Sequence, residues 1–434
     1  MNKDTQHASG ITRRKFISTG LNSGVALASL GGLSGLLAAC SSSQSGGASG
    51  GKGKTVSVGG LMSQTGAVSA VGKAVANGAQ LRFDLINKNG GIKSLGGATI
   101  QLKVQDDQSN AQQAPSAVDQ LTSSDVPLII GGVSSTAMLN ASTEAGRSGV
   151  TMVNAVGVDS SITARGLTHL FTTCGSSTLY GSDFVQNTKA VLQANSYDPK
   201  NVVVLYETQV QGPLWVAALK KAFPEQTKWN VNYVGYDPTS NNFTPVVARL
   251  KQDNVDVVAM CSYPSDGTSL LQAMKSQNFT PKYLTGCMGG ILSAEFEKSA
   301  GSLVDNFTGE SYWVNDPKIP GVSDFQQAYS ASNKGSTSID VFTAMGYAAA
   351  SVAADALERA GSTDRDKVTT ALRQTNLSPG DAGFILPGGA RFDDAGNNSA
   401  VKGVYYQFVG TTRQAIRPPE FATTQTKFPH GSWS

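Results

Sequence analysis

One cysteine stands where its neighbours allow it to be modified. Leu37-Ala38-Ala39 precede Cys40, and small residues at that point admit a signal peptidase while the cysteine sulfur takes a diacylglycerol group. Upstream lies Thr12-Arg13-Arg14-Lys15-Phe16-Ile17, followed by a Gly-rich, weakly apolar segment. A twin-arginine pair before such a segment is an address for the Tat route, which exports proteins already folded. In this order the two signals predict a mature chain outside the cytoplasm, lipidated at Cys40 and touching the membrane through that anchor alone. The competing reading is a membrane-spanning helix over 21–39. A bilayer helix needs about 20 consecutive apolar residues, and Asn22, Gly24, Gly31, Gly32 and Gly35 interrupt the run.

The other residues with chemical potential make a poor case for catalysis. Gly47-Ala48-Ser49-Gly50-Gly51 matches Gly-x-Ser-x-Gly, but it lies in the Gly/Ser stretch 40–54, where no strand–turn–helix elbow forms. Gly66 to Gly72-Lys73 resembles a phosphate loop, yet the spacing is one residue too long and Ala74 replaces the Ser or Thr. Beyond residue 39 the histidines are His169 and His430, far apart, with no Cys-x-x-Cys, so neither a metal site nor a cofactor is implied. A secreted hydrolase is thus the weakest alternative. Cys174, Cys261 and Cys287 allow one disulfide, Cys261–Cys287 being the pair to test, or three buried thiols.

Of the 34 cationic and 31 anionic residues, Lys3, Arg13, Arg14, Lys15 and Asp4 fall within 1–39, so the rest is formally neutral. A basic nucleic-acid footprint is absent, and nucleic acid is not an expected partner.

The elements that must position any site alternate along the chain. Strands are expected at Thr55–Leu61, Thr99–Gln105, Pro127–Gly131 and Val150–Asn154, with helices over 71–89 and 110–123. A second series follows: helix 179–194, strand Val202–Tyr206, helix 212–222, strand Asn230–Tyr236, helix 243–252, strand Val255–Cys261, helix 267–277 and strand Lys282–Thr285. Short connections between apolar strands and helices are the signature of βαβ units and parallel sheets. The fold class is therefore α/β, with two doubly wound lobes. An Ala-rich helix over Asp340–Ala360 packs back on one lobe, and 413–434 reads as a surface tail.

In open α/β sheets, ligands collect beyond the carboxyl ends of the strands. Those ends carry Ser63 and Gln64, then Gly132-Val133-Ser134-Ser135, the loop Asn154–Asp159 with Gly157, the loop from Tyr206 to Gln211 and Gly212, Tyr263–Gly267 and Gly286–Gly290. Exposed N–H groups and serine hydroxyls at helix starts can hold a carboxylate. Gly and Ser also mark ordinary turns, but several such loops in register favour a site.

Three stretches give the chain a relation. Ala79–Ile92, with Phe83-Asp84-Leu85-Ile86-Asn87 and Asn89-Gly90-Gly91, resembles the first helix of bacterial branched-chain amino acid binding proteins. Asn242-Phe243-Thr244-Pro245 through Leu250-Lys251, with Val255-Asp256-Val257-Val258, is similar to a second signature of that family. Gly346-Tyr347-Ala348-Ala349 running to Leu357-Glu358-Arg359-Ala360-Gly361 is similar to a third. The resemblance spans about residues 55–412. It implies a type I periplasmic-binding fold, two lobes joined by three crossings near 172–177, 310–313 and 399–403. Lobe 1 would be 55–173 plus 311–400, and lobe 2 would be 174–310 plus 401–425, with a tail over 426–434.

The resemblance also implies roles. Ser135 matches the family's carboxylate-holding serine, after the backbone of Gly132-Val133-Ser134. Val158 stands where a threonine hydroxyl is common, and Met288 where an acid meets the ligand's α-ammonium. Val71 aligns with a ring of the first loop. A buried ammonium without a carboxylate costs several kcal/mol. These departures point towards a neutral or monoanionic ligand, such as an aromatic acid, an amide or a short carboxylic acid. Val158, Tyr206, Tyr263, Met288 and Trp313 would form its apolar or aromatic wall, while Asp159, Glu207 or Asp266 stay open as cation partners. The implied activity is solute capture for the permease and ATPase subunits of an ABC transporter, or, with the same fold, signalling to a membrane sensor.

Overall fold

The computed structural model describes residues 54–433 apart from 210, 241, 288, 317 and 333–338. The twin arginines, Cys40, the Gly/Ser stretch as far as 53, and Met288 lie outside the described residues. Among the described residues no helix is long and apolar enough to cross a membrane.

The first sheet is built from β1 (Thr55–Met62), α1 (Ser69–Lys88), β2 (Thr99–Asp106), α2 (Ala114–Thr122), β3 (Leu128–Gly131), α3 (Ser135–Arg147), β4 (Thr151–Asn154) and β5 (Leu170–Thr172). Its strand order is β2-β1-β3-β4-β5, all parallel. β3 and β4 are buried along their whole length, the pattern of parallel strands covered by helices on both faces.

The chain then enters α4 (Ser177–Ala194), β6 (Asn201–Glu207), α5 (Gln211–Gln226), β7 (Asn230–Tyr236), α6 (Thr244–Gln252), β8 (Val257–Cys261), α7 (Pro264–Ser276), β9 (Tyr283–Cys287), α8 (Ala294–Ala300) and β10 (Thr308–Ser311). It returns to the first sheet through α9 (Val322–Ser332), α10 (Val341–Ala360) and α11 (Arg365–Arg373). A small ladder of β11 (Asn376–Leu377) and β12 (Ala390–Arg391) follows. The chain finally crosses into the hairpin β13 (Val404–Val409) and β14 (Thr412–Arg417). The second sheet has the order β14-β13-β10-β9-β8-β6-β7, with β13 and β14 antiparallel at one edge.

α10 explains its own alanines. It is buried along most of its length, as expected of a helix apolar on every side. The Asp340 side chain accepts the Phe342 N–H at its start, and Gly361 ends it in a left-handed conformation (φ 53°). α10 lies hard against α1: a Cβ on Gly78 would sit 1.9 Å from the Thr343 carbonyl oxygen, and one on Gly346 2.0 Å from that of Val75. Only glycine permits that backbone approach.

The stretch after 412 is not a surface tail. β14 closes the sheet edge, Phe428 packs on Tyr197 and Tyr283, and the Trp433 indole donates to the Phe279 carbonyl at 2.8 Å. Proline and threonine dominate its composition, but its aromatics bury against the second lobe.

Candidate functional site

The carboxyl ends of the first sheet meet at the start of α3. Ser134 has extended backbone and no side-chain cap, leaving the first N–H groups of α3 without intrahelical acceptors. Its Oγ lies 2.9 Å from Thr136 Oγ1. Ser135 is half-buried, and its Oγ accepts the Asp159 N–H at 3.3 Å, tying the β3 loop to the β4 loop.

The second loop is folded by Asn154. Its Oδ1 accepts the Gly157 N–H at 2.9 Å, and its Nδ2 donates to the Gly157 carbonyl at 2.7 Å. Val158 follows, 8 % exposed, with its carbonyl accepting the Ser177 N–H at the start of α4. The structure thus brings Ser134, Ser135, Gly157 and Val158 into one linked pair of loops.

Ser63 and Gln64 are engaged elsewhere. The Ser63 hydroxyl donates to Asp107 Oδ1 at 2.6 Å, fully buried, and the Gln64 N–H donates to Asp106 Oδ1 at 2.8 Å. The glycines read as a phosphate loop serve this turn. Gly66 has φ 84°, and a Cβ on Gly72 would meet the Ser63 carbonyl at 2.0 Å. Val71 is half-buried on α1.

On the second sheet Tyr206 is half-buried at the end of β6 and covers Gly235 of β7, where a Cβ would lie 3.1 Å from its hydroxyl. Tyr263 is half-buried at the start of α7, whose N-terminus also lacks a side-chain cap. Burial pushes the Tyr263 hydroxyl up to about 12. Gln211 opens α5, half-buried.

The acids here are buried and bonded. Glu207 accepts the Gly212 N–H at 2.6 Å and the Gln209 N–H at 2.5 Å. Asp266 accepts the Tyr236 hydroxyl at 2.7 Å, and that hydroxyl lies 2.6 Å from Ser262 Oγ. Burial raises Asp266 to about 6. Composition alone gave no sign of the Tyr236–Ser262–Asp266 chain, because β7 and α7 meet only in the folded sheet.

Trp313 follows β10 by two residues. It is 2 % exposed and packs edge-on against Phe325 with ring centroids 5.8 Å apart. Among the described residues it is the one candidate lining a cavity of about 920 Å³ beside α8, with Glu297, Ile339, Val341 and Arg413. Cys174, Cys261 and Cys287 are buried free thiols. Burial holds all three well above the usual thiol range, Cys174 at about 12.

Residues 55–412 match the family model described as periplasmic binding protein. The chain belongs to the periplasmic binding protein family. It is 30% identical over 311 residues, 71% of this chain and 80% of its relative, to the Leu/Ile/Val-binding protein homolog 3 of Brucella melitensis. Its fold is that of type I periplasmic binding proteins. The branched-chain amino acid transporter substrate binding protein LivJ of Streptococcus pneumoniae, solved with isoleucine, superposes with a TM-score of 0.70 at 20% identity, covering 83% of this chain and 98% of that one. A solute binding protein from R. palustris solved with benzoate superposes at 0.69 with 18% identity, covering 83% and 95%. The family members named here are binding proteins, in keeping with the poor catalytic case.

Proposed function

We propose that this family member is the extracytoplasmic solute-binding lipoprotein of an ABC uptake system. It is exported by the Tat route, anchored at Cys40, and hands its cargo to permease and ATPase subunits. The observation that carries the reading is the uncapped α3 N-terminus beside Ser135 and the Gly157–Val158 loop. Free N–H groups at the positive end of a helix dipole, with a neighbouring hydroxyl, suit a carboxylate. Tyr206 and Tyr263, half-buried at the strand ends of the other lobe, supply the aromatic wall for a ligand held as the lobes close.

The cargo is a small neutral or monoanionic molecule, an aromatic or short carboxylic acid or an amide. Valine at 158 removes a hydroxyl that the family commonly supplies in its carboxylate-holding segment, and methionine at 288 leaves an α-ammonium without its acidic partner. The isoleucine-bound and benzoate-bound relatives show that the fold accommodates both kinds of cargo. Isothermal titration of the mature chain with leucine, glutamate, urea and benzoate decides between them. Benzoate-type acids or amides are expected to bind in the micromolar range. Micromolar leucine binding overturns the ligand assignment.

A further inference from the structure

One carboxylate takes a backbone N–H from each lobe. Asp340 caps α10, its Oδ1 accepting the Phe342 N–H at 2.9 Å. Its Oδ2 accepts the Ala294 N–H at 3.1 Å, at the start of α8. The two helices belong to different lobes. α10 is held on the first by its close approach to α1 at Gly78 and Gly346. α8 is held on the second: the Phe296 ring packs against Phe307 with centroids 6.1 Å apart, and a Cβ on Gly267 of α7 would lie 3.2 Å from that ring.

Both partners stand at the carboxyl ends of their sheets. α8 follows the end of β9 at Cys287 after a short turn over Gly289–Leu292. α10 has 20 residues and is therefore about 30 Å long. Its far end is fixed at the amino ends of the first sheet. There Glu358 accepts the Lys93 and Ser94 N–H groups, each at 2.8 Å, ahead of β2. Arg365, just beyond the helix, donates to the Val126 and Ser148 carbonyls, ahead of β3 and β4. Asp340 thus lies at the opposite end, on the side of the Ser135 and Gly157 loops. The bond spans the two faces that would hold a ligand, and it breaks when those faces part.

The cavity of about 920 Å³ flanks this bond, lined by Ala294 and Glu297 from one lobe and by Ile339 and Val341 from the other. Arg413 is ion-paired with Glu297 at 2.5 Å and is committed within the second lobe. Space separates the helices beside the bond, so a charge-assisted hydrogen bond carries weight that apolar contact would otherwise supply.

We propose that Asp340 is a latch across the mouth of the clamp: its bond to the Ala294 N–H favours the closed arrangement and tightens capture without touching the ligand. The proposal rests on the two-lobed clamp reading above. Asp340 is a positioning residue in this scheme, acting through the lobes it joins.

Two substitutions cut the bond, one from each side. Ala294→Pro deletes the donor alone. Ala294 is the first residue of α8, where proline is well tolerated, and Ser293 before it already has the extended backbone that a following proline requires (φ −79°, ψ 154°). Asp340→Ser keeps a hydroxyl to cap α10 but has no second oxygen for Ala294. Spin labels at Lys73→Cys on α1 and Ala248→Cys on α6, both exposed positions, report the interlobe distance in the mature chain by pulsed dipolar spectroscopy. Without ligand, the native chain is expected to show a short-distance population, and both variants should lower its ratio to the long-distance population about 10-fold. A role confined to fold stability would lower Tm and leave the distances alone. Either variant, once folded, keeping the native distribution overturns the proposal, whatever its Tm. Leucine, glutamate, urea and benzoate added to the labelled native chain check the clamp separately. Shortening on binding upholds the clamp even where the variants refute the latch, whereas binding with no change of distance refutes both.

Discussion

At the scale of single residues the account depends on a few hydroxyl and N–H groups. Ser135 braces the Asp159 N–H, and in the proposed site it also bonds the ligand's carboxylate. Hydrogen bonds to charged groups contribute about 1.5–3 kcal/mol. Ser135→Ala should therefore weaken binding of a carboxylate-bearing ligand about 10- to 100-fold by calorimetry, while an amide ligand loses less. Parts of this site were legible beforehand. Ser134, Ser135, Gly157 and Val158 do form one linked pair of loops, because serines and glycines after buried strands have few other places to go. Ser63 was a reasonable reading of the same kind, yet its hydroxyl is spent on Asp107. Nothing local distinguishes a serine that faces a ligand from one that closes a turn, since the partner lies 44 residues away.

At the scale of elements, the alternation of strands and helices was readable up to Thr285 except for α3, because most strands are short, apolar and bounded by turn residues. The readings weakened where packing overrides composition. β13 and β14 form an antiparallel edge hairpin whose aromatics gain a purpose only against β9 and α4: the Tyr405 hydroxyl lies 2.8 Å from Thr188 Oγ1 and 2.7 Å from Thr285 Oγ1. The glycines of α1 and α10 carried a different hidden message. Helix-interior glycine is costly, so Gly78 and Gly346 mark close contact. Gly78→Ala should force the two helices apart and cost about 1–3 kcal/mol or more. Thermal unfolding checks this, and an unchanged Tm would mean the helices separate without cost.

At the scale of the whole molecule, two sheets joined by three chain passages describe a hinged clamp, and family membership over residues 55–412 supports that function. The hinge itself was the least legible part. The passages between the sheets have no local signature, since which sheet each strand joins is settled only in the fold. Energetically, a clamp needs lobes that are each stable and a joint that is soft. The extensive buried core supplies the first. The most direct test of the clamp is small-angle X-ray scattering of the mature chain titrated with leucine, glutamate, urea and benzoate. A ligand of the right class should lower the radius of gyration and be recovered chemically unchanged. Curves that superpose with all four, despite measured binding of at least one, would contradict closure as the basis of capture.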